Sequence, residues 1–155
     1  MPLKGIATSI TPELLYVLAK MGHGDRLVIA DSNFPSDSTA ASTVHQVPIR
    51  VTGSTADILS DILSLIPLDL YAEEPVCVMD RVQRDKDRNL LVPAYEKLQA
   101  AVDNEAAAAS YNGAKFELSY LSRSVFYTQA QSAFCIVQTT DSTAYANVMI
   151  SKGVL

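Results

Sequence analysis

Apolar residues recur at two different spacings along this 155-residue chain, and the spacing predicts where helices and strands lie. The clearest predicted helix covers residues 55–66, where one apolar stripe stands opposite a polar face. Its apolar positions are Ile58, Leu59, Ile62, Leu63 and Ile66. Another helix begins after Thr11, because a hydroxyl residue, a proline and an acid follow one another as they do at helix starts. Gly22 ends that helix, and further helices are predicted over 93–109 and 123–133.

Short apolar runs between these helices predict strands, which cover residues 27–30, 47–51, 76–79, 116–121, 134–137 and 147–151. Pro48 indicates an edge position for the second strand, because proline cannot donate to a sheet ladder. The polar stretch 31–42 is predicted to be a surface loop and the mixed-charge stretch 81–89 a solvated turn. Strands that alternate with helices predict a layered α/β fold, in which the late strands add antiparallel pairs.

Composition narrows the class of protein. Hydrophobic residues make up 48% of the chain and charged residues 19%, which is typical of a packed globule, and the length suits one domain over residues 1–155. The net charge of −5 lacks the basic footprint of proteins that bind nucleic acid or acidic membranes. No apolar run reaches the roughly 20 residues that span a bilayer, and the first five residues lack a signal-peptide layout. We therefore expect a cytoplasmic protein with no nucleic-acid or membrane partner.

Several kinds of reactive site are disfavoured by spacing. Cys77 and Cys135 each stand inside an apolar run, so we predict two reduced core residues. Neither histidine belongs to a metal-ligand pattern, and we predict no metal site. The chain also lacks a glycine-rich phosphate loop and a nucleophile elbow. His45, at a boundary between a loop and a strand, is predicted to be an exposed histidine.

The segment 21–35 carries the strongest candidate chemistry. His23 stands between two glycines just before the first predicted strand, and Asp31 follows that strand directly. Polar side chains at strand ends can face a ligand on a rigid frame. The glycines permit close approach of a ligand, and the two side chains form a candidate acid/base pair. The alternative on the residues alone is an ordinary surface-loop histidine.

Other polar residues could complete a binding site. Asp69 is a carboxylate in apolar surroundings, just past the end of a helix. Arg123 and Tyr127, four residues apart on a predicted helix, can share one face. The segment 145–147 offers a phenol and an amide, which are good partners for sugar hydroxyls. The set is typical of a carbohydrate site, either catalytic or purely for binding, although it fits other pockets too.

These residues stand within segments that resemble the RbsD/FucU family of sugar mutarotases, most closely its L-fucose branch. The most specific pairing is Met-Gly-His-Gly-Asp at 21–25 with Ala-Asp-Ser-Asn-Phe-Pro at 30–35. Similar segments elsewhere are Leu3-Lys4-Gly5-Ile6, Pro12-Glu13-Leu14-Leu15, Ile49-Arg50, Pro67-Leu68-Asp69, Phe126-Tyr127, Ala133-Phe134 and Lys152-Gly153-Val154-Leu155. They span nearly the whole chain in the family's order.

The resemblance implies a three-layer α/β/α sandwich with a mixed sheet and an isomerase that interconverts the α and β anomers of a monosaccharide, with L-fucose the expected sugar. It implies no cofactor, and a homo-oligomer, often a decamer, with sites at subunit contacts. By motif, His23 matches the catalytic proton-transfer histidine, and Tyr127 is a further acid/base candidate. The sugar-binding positions that it implies are Asp31, Asp69, Arg123, Tyr145, Ala146 and Asn147.

The chain departs from the fucose pattern at two places. Thr128-Gln129-Ala130 stand where fucose-type members usually have Glu-Arg-Ala, and Tyr145-Ala146-Asn147 looks like the ribose branch. Residues 80–115 match poorly. A ribose-type pyranase and a monosaccharide-binding protein without turnover therefore remain alternatives.

The strand between His23 and Asp31 has a geometric consequence. Five extended residues cover about 16–17 Å at roughly 3.3 Å each, which is far longer than a monosaccharide. Either the His23 loop curls back along the strand, or another subunit brings the complementary end. We expect the second arrangement, with the site between subunits of an obligate oligomer.

Overall fold

The structure is a computed structural model that describes residues 3–108 and 111–155. Helices and strands alternate along most of these residues. In chain order the elements are α1 (Pro12–Lys20), β1 (Arg26–Ala30), α2 (Ser36–Ala40), β2 (Ile49–Arg50), α3 (Thr55–Leu63), β3 (Val76–Met79), α4 (Gln83–Asp87), α5 (Pro93–Ala108), β4 (Ser119–Leu121), α6 (Arg123–Ala130), β5 (Cys135–Gln138) and β6 (Val148–Ser151). The last residue of the predicted helix 93–109 lies outside the described residues.

The described strands form one mixed sheet in the order β2-β5-β1-β6-β3-β4. Strand β6 runs antiparallel to both β1 and β3, whereas β1–β5, β2–β5 and β3–β4 are parallel pairs. The expectation of a late antiparallel strand is confirmed. So is the edge position that Pro48 indicated, because β2 begins one residue later at the border of the sheet.

Helices cover both faces of this sheet, which confirms the three-layer arrangement. Strand side chains alternate between faces, so Leu27 packs with α1, α3 and α5, whereas Val28 packs with α2 and α6. Four of the five residues of β1 are buried. Cys77 and Cys135 are buried free thiols, as predicted, on opposite faces of the sheet. None of the described helices is long and apolar enough to cross a membrane.

One predicted strand is shorter than its alternating pattern because a side chain takes its hydrogen bonds. The pattern covered 116–121, but pairing with β3 begins only at Ser119. The Gln99 amide on α5 donates to the Phe116 carbonyl at 2.8 Å and accepts from the Leu118 N–H at 3.2 Å. Residues 116–118 are therefore satisfied by a helix side chain rather than by a neighbouring strand.

Two predictions of irregular structure were wrong. The supposed loop 31–42 contains helix α2, whose buried face consists of Ser36, Thr39 and Ala40. These small or polar residues carry no hydrophobic periodicity, although their spacing is helical. The supposed turn 81–89 contains helix α4, which has no buried residue and so no apolar signal. Its ends are linked by a 2.8 Å hydrogen bond from the Gln83 amide to Asp87.

Candidate active site

The carboxyl ends of β1 and β3 lie beside the first residue of β6, and polar residues converge at these strand ends. Asp31 directly follows β1 and Asn147 directly precedes β6. Asn147 Nδ2 donates to Asp31 Oδ2 at 2.9 Å, and the Asp31 N–H donates to Asn147 Oδ1 at 2.9 Å. The Asn33 N–H donates to Asp31 Oδ1 at 2.9 Å. The carboxylate and the amide are thus held rigidly in one orientation.

Asp31 is only 4% exposed, and this burial governs its charge. Burial raises the pKa of the Asp31 carboxyl above its usual range, and the hydrogen bonds from Asn33 and Asn147 oppose that rise. Desolvation disfavours the ionised form. Such a carboxylate gains from a ligand that supplies further hydrogen-bond donors.

Helix α6 provides the opposite wall. Ser122 caps the helix by accepting from the Val125 N–H, and Arg123 and Tyr127 on its first turns line the pocket. The guanidinium carbon of Arg123 lies 5.5 Å from the centre of the Tyr127 ring, so the predicted shared face is confirmed. The ring of Phe34 lies 5.4 Å from that of Tyr127.

These groups line an open pocket of about 220 Å³, which we name the Asp31 pocket. Its lining residues are Asp31, Asn33, Phe34, Met79, Arg123, Tyr127, Ala144, Tyr145 and Asn147. The pocket therefore offers a carboxylate, an amide and a guanidinium together with apolar side chains.

The tripeptide 145–147 contributes unequally. Tyr145 lines the pocket with a left-handed backbone (φ 61°), and its hydroxyl donates to Asp85 Oδ2 at 2.5 Å. Burial, followed by the hydrogen bond to Asp85, raises the pKa of the Tyr145 hydroxyl. Ala146 is fully buried and does not line the pocket; its carbonyl accepts from Thr55 Oγ1 at 2.8 Å.

His23 lies at the other end of β1, in the turn after α1. His23 Nε2 lies 3.0 Å from Asp69 Oδ1, and the same oxygen accepts from the Tyr71 N–H at 3.0 Å. The His23 side chain is 46% exposed, whereas that of Asp69 is 7% exposed. The ring of Tyr71 stands edge-on to the imidazole at 5.7 Å. A buried carboxylate thus orients a solvent-accessible imidazole, and we name this arrangement the His23–Asp69 pair.

Strand β6 shows how far apart the two groups are. Asn147, just before β6, lies beside Asp31. Lys152, just after β6, lies beside the His23 turn, where the Gly24 N–H donates to the Lys152 carbonyl at 2.8 Å. Asp69 is tied to the same end, because its N–H donates to the Ser151 carbonyl at 3.0 Å. The His23 loop does not curl back along β1. Of the predicted sugar-binding residues, Asp31, Arg123, Tyr145 and Asn147 come together, whereas Asp69 lies with His23.

Sequence reasoning missed some pocket residues and misjudged one histidine. Asn33 and Phe34 stand inside the motif that drew attention to Asp31, so that motif could have identified both. Asp85 gave no signal, because it stands in a mixed-charge run. The prediction that His45 is an exposed histidine was wrong. Its side chain is only 21% exposed, and its Nε2 lies 3.2 Å from Glu13 Oε1.

Comparisons with known proteins agree with one another. Residues 4–155 match the RbsD / FucU transport protein family. A human protein named fucose mutarotase is 37% identical over 154 residues, which is 99% of this chain and 94% of the relative. The crystal structure of FucU from Bifidobacterium longum has a TM-score of 0.82 at 37% identity, covering 98% of this chain and 99% of that chain. A fucose mutarotase from Streptococcus pneumoniae, solved in complex with L-fucose, has a TM-score of 0.80 at 29% identity over 99% of both chains.

Proposed function

The chain belongs to the RbsD/FucU family, and we propose that it is a sugar mutarotase, an isomerase that interconverts the α and β anomers of L-fucose. The relatives named fucose mutarotase support the reaction, and the relative solved with L-fucose supports the sugar. The observation on this chain that carries the proposal is the Asp31 pocket, in which a buried carboxylate and amide face an arginine and a tyrosine.

The pocket suits one monosaccharide in size and in chemistry. Its volume of about 220 Å³ lies below the roughly 300–1,000 Å³ of pockets for drug-sized ligands. Asp31, Arg123 and Asn147 supply acceptors and donors for hydroxyl groups. Phe34 and Met79 supply apolar surface for the C–H face of a sugar ring. We expect the sugar hydroxyls to form hydrogen bonds mainly with Asp31, Arg123 and Asn147.

Mutarotation requires two proton transfers and no net change. A base removes the proton of the anomeric hydroxyl while an acid protonates the ring oxygen, so the bond between the anomeric carbon and the ring oxygen breaks and a free aldehyde forms. The aldehyde rotates, and the reverse transfers close the ring on its other face. No electrons are exchanged with a second reactant, so the proposed reaction uses no cofactor.

We assign one proton-transfer role to His23, because an imidazole can both accept and donate a proton and this one is accessible to solvent. When the Nε2–H group of His23 donates a hydrogen bond to Asp69, the other ring nitrogen, Nδ1, carries no proton and can act as the base. In this proposal Asp69 acts through His23 rather than on the sugar hydroxyls. Tyr127 is the candidate for the second role, because its ring borders the Asp31 pocket.

The two groups need a second copy of the chain to meet around one sugar. His23 and the Asp31 pocket lie at opposite ends of β1, and the His23 turn is tied to β6 at its own end. The proposal therefore places His23 of one subunit over the Asp31 pocket of another, in a cytoplasmic homo-oligomer of single-domain chains. A decamer is one assembly that would meet this requirement.

Exchange between the α and β signals of L-fucose, measured by NMR, tests the proposal. The histidines His23 and His45 allow a matched pair of variants. His23→Ala should slow exchange by about 10²–10⁴-fold, the usual contribution of a positioned acid/base, whereas His45→Ala should exchange like wild type. Equal rates for His23→Ala and wild type would refute the histidine assignment. Binding of L-fucose without acceleration would indicate a monosaccharide-binding protein instead.

The ribose-type alternative is weakened by where the departures from the fucose pattern lie. Ala146 does not line the pocket. Gln129 points to the opposite end of the sheet, where its Oε1 accepts from Arg26 Nη1 at 2.5 Å. Neither residue can select a sugar by direct contact in the Asp31 pocket. In the same NMR experiment, the protein is expected to accelerate anomer exchange less for D-ribose than for L-fucose, each relative to its own uncatalysed rate.

A further inference from the structure

The mixed-charge stretch 81–89, which lies within the residues that match the family poorly, meets the Asp31 pocket at the hydroxyl of Tyr145. Asp85 lies in the middle of α4, and its carboxylate accepts the Tyr145 hydroxyl proton at 2.5 Å across 60 residues of chain. We propose that Asp85 is a positioning residue that fixes Tyr145, so that Tyr145 contacts the sugar through its ring and not through its hydroxyl. The inference rests on the proposed sugar site and deepens it.

The hydroxyl of Tyr145 is already engaged on both sides. It donates its only proton to Asp85 and accepts from the Val82 N–H at 3.2 Å. A phenol has one donor, so a sugar hydroxyl could receive that proton only if the bond to Asp85 broke. The ring, by contrast, lines the Asp31 pocket. An aromatic ring offers apolar area to the C–H face of a sugar.

The backbone of Tyr145 also needs an outside restraint. Its φ of 61° lies in the left-handed region, which a bulky side chain adopts at a cost in free energy and keeps only when its surroundings hold it there. Asn147 must follow two residues later to meet Asp31. The hydrogen bond to Asp85 therefore restrains the turn that positions Tyr145 and Asn147 in the pocket.

The helix that carries Asp85 is itself held to the sheet by polar contacts. Lys86, its neighbour on α4, forms an ion pair with Asp80, which directly follows β3. The Asp80 N–H donates to the Leu121 carbonyl at 2.7 Å, which ties this loop to β4. Helix α4 buries none of its own residues, so its contact with Tyr145 is a specific polar link and not a result of core packing.

L-Fucose affinity in a double-mutant cycle tests the inference on the full chain. Asp85→Ala, Tyr145→Phe and the double variant should each weaken binding by about threefold to tenfold, as expected for one lost hydrogen bond. Asp85→Asn keeps an acceptor and should restore most of the affinity. Tyr145→Leu removes the ring and should weaken binding more than Tyr145→Phe. The matched control is Asp87→Ala, since Asp87 is exposed on the same helix and should bind like wild type.

A readout without sugar separates the two proposals. In protein labelled at the ζ-carbon of tyrosine, the Tyr145 signal should titrate at lower pH in Asp85→Ala than in wild type, and Asp87→Ala should not move it. An unmoved signal overturns the Asp85 contact even if the protein is a mutarotase. Additive losses in the double variant, or Tyr145→Phe binding as weakly as Tyr145→Leu, would show that the hydroxyl binds the sugar. If the signal moves but L-fucose does not bind, the sugar assignment fails instead.

Discussion

A buried carboxylate lies near each end of strand β1, but the two carboxylates have different hydrogen-bond partners. At its carboxyl end Asp31 is buried and hydrogen-bonded to a neutral amide, at the bottom of an open pocket. At its amino end Asp69 is buried as well, but it faces an accessible imidazole across 3.0 Å. The first setting suits holding hydroxyl groups, and the second suits moving a proton. In the proposed mechanism, one subunit therefore separates its sugar-binding carboxylate from its proton-transfer histidine by the length of β1.

The largest expected effect is the recovery of activity when two variants, each damaged at one end of β1, are mixed. His23→Ala and Asp31→Asn each damage a different end, so each alone should lose most of its activity at subsaturating L-fucose. When they are unfolded and refolded together, about a quarter of the sites should receive both intact ends if each site is shared by two subunits. Exchange of L-fucose anomers by NMR measures the recovery.

The control for this mixture is a chain that carries both substitutions, mixed in the same way with His23→Ala. It should stay inactive, since no intact His23 is present. A site within one subunit predicts no recovery in either mixture.

Asp31→Asn should cause the next largest effect, a loss of about a hundredfold in L-fucose affinity. Hydrogen bonds to a charged group are worth about 1.5–3 kcal/mol each, and the amide that replaces one oxygen cannot accept. Isothermal titration measures the affinity. Asp37→Asn, at an exposed ion pair with Arg50, is the control and should bind normally. An unchanged affinity in Asp31→Asn would place the sugar elsewhere.

Asp69→Asn should slow anomer exchange by less than the roughly 10²–10⁴-fold expected of His23→Ala, because the imidazole remains but loses the carboxylate that stabilises its charged form. L-Fucose affinity should stay the same. The second histidine–carboxylate contact supplies the control. Glu13→Gln makes the same chemical change beside His45 and should leave exchange unaltered. A loss of affinity in Asp69→Asn would instead assign Asp69 to sugar binding.

The smallest effect is on pH dependence. Burial raises the pKa of Asp31, so L-fucose affinity should fall as the pH drops through that raised value, earlier than for an ordinary aspartate near 3.9. The folded chain binds this proton more tightly than the unfolded chain. Asp31 therefore stabilises the fold at low pH, and this contribution is lost as the pH rises through its folded pKa.

Thermal unfolding of wild type and Asp31→Asn across this pH range checks the sign. The Tm of wild type should rise relative to that of the variant as the pH falls. A constant difference would show that burial does not perturb the Asp31 carboxyl.

Sequence reasoning located most elements and most pocket residues, because both depend on short-range patterns. The helix start at Thr11 and the strand 76–79 are as predicted. The two missed helices, α2 and α4, bury small residues or none, and hydrophobic periodicity is blind to both cases. The position of Asp69 beside His23 also escaped prediction, because 46 residues of chain separate them.

The sequence by itself determined the alternation of helices and strands, the buried strand between His23 and Asp31, and the motifs that these residues belong to. Only the tertiary structure decided that β6 carries Asn147 to Asp31, that Asp69 holds His23, and that Asp85 holds Tyr145. Spacing along a chain encodes which face of an element is buried. It does not encode the partner strand, because backbone hydrogen bonds are alike on every strand and the packing of the whole sheet makes the choice.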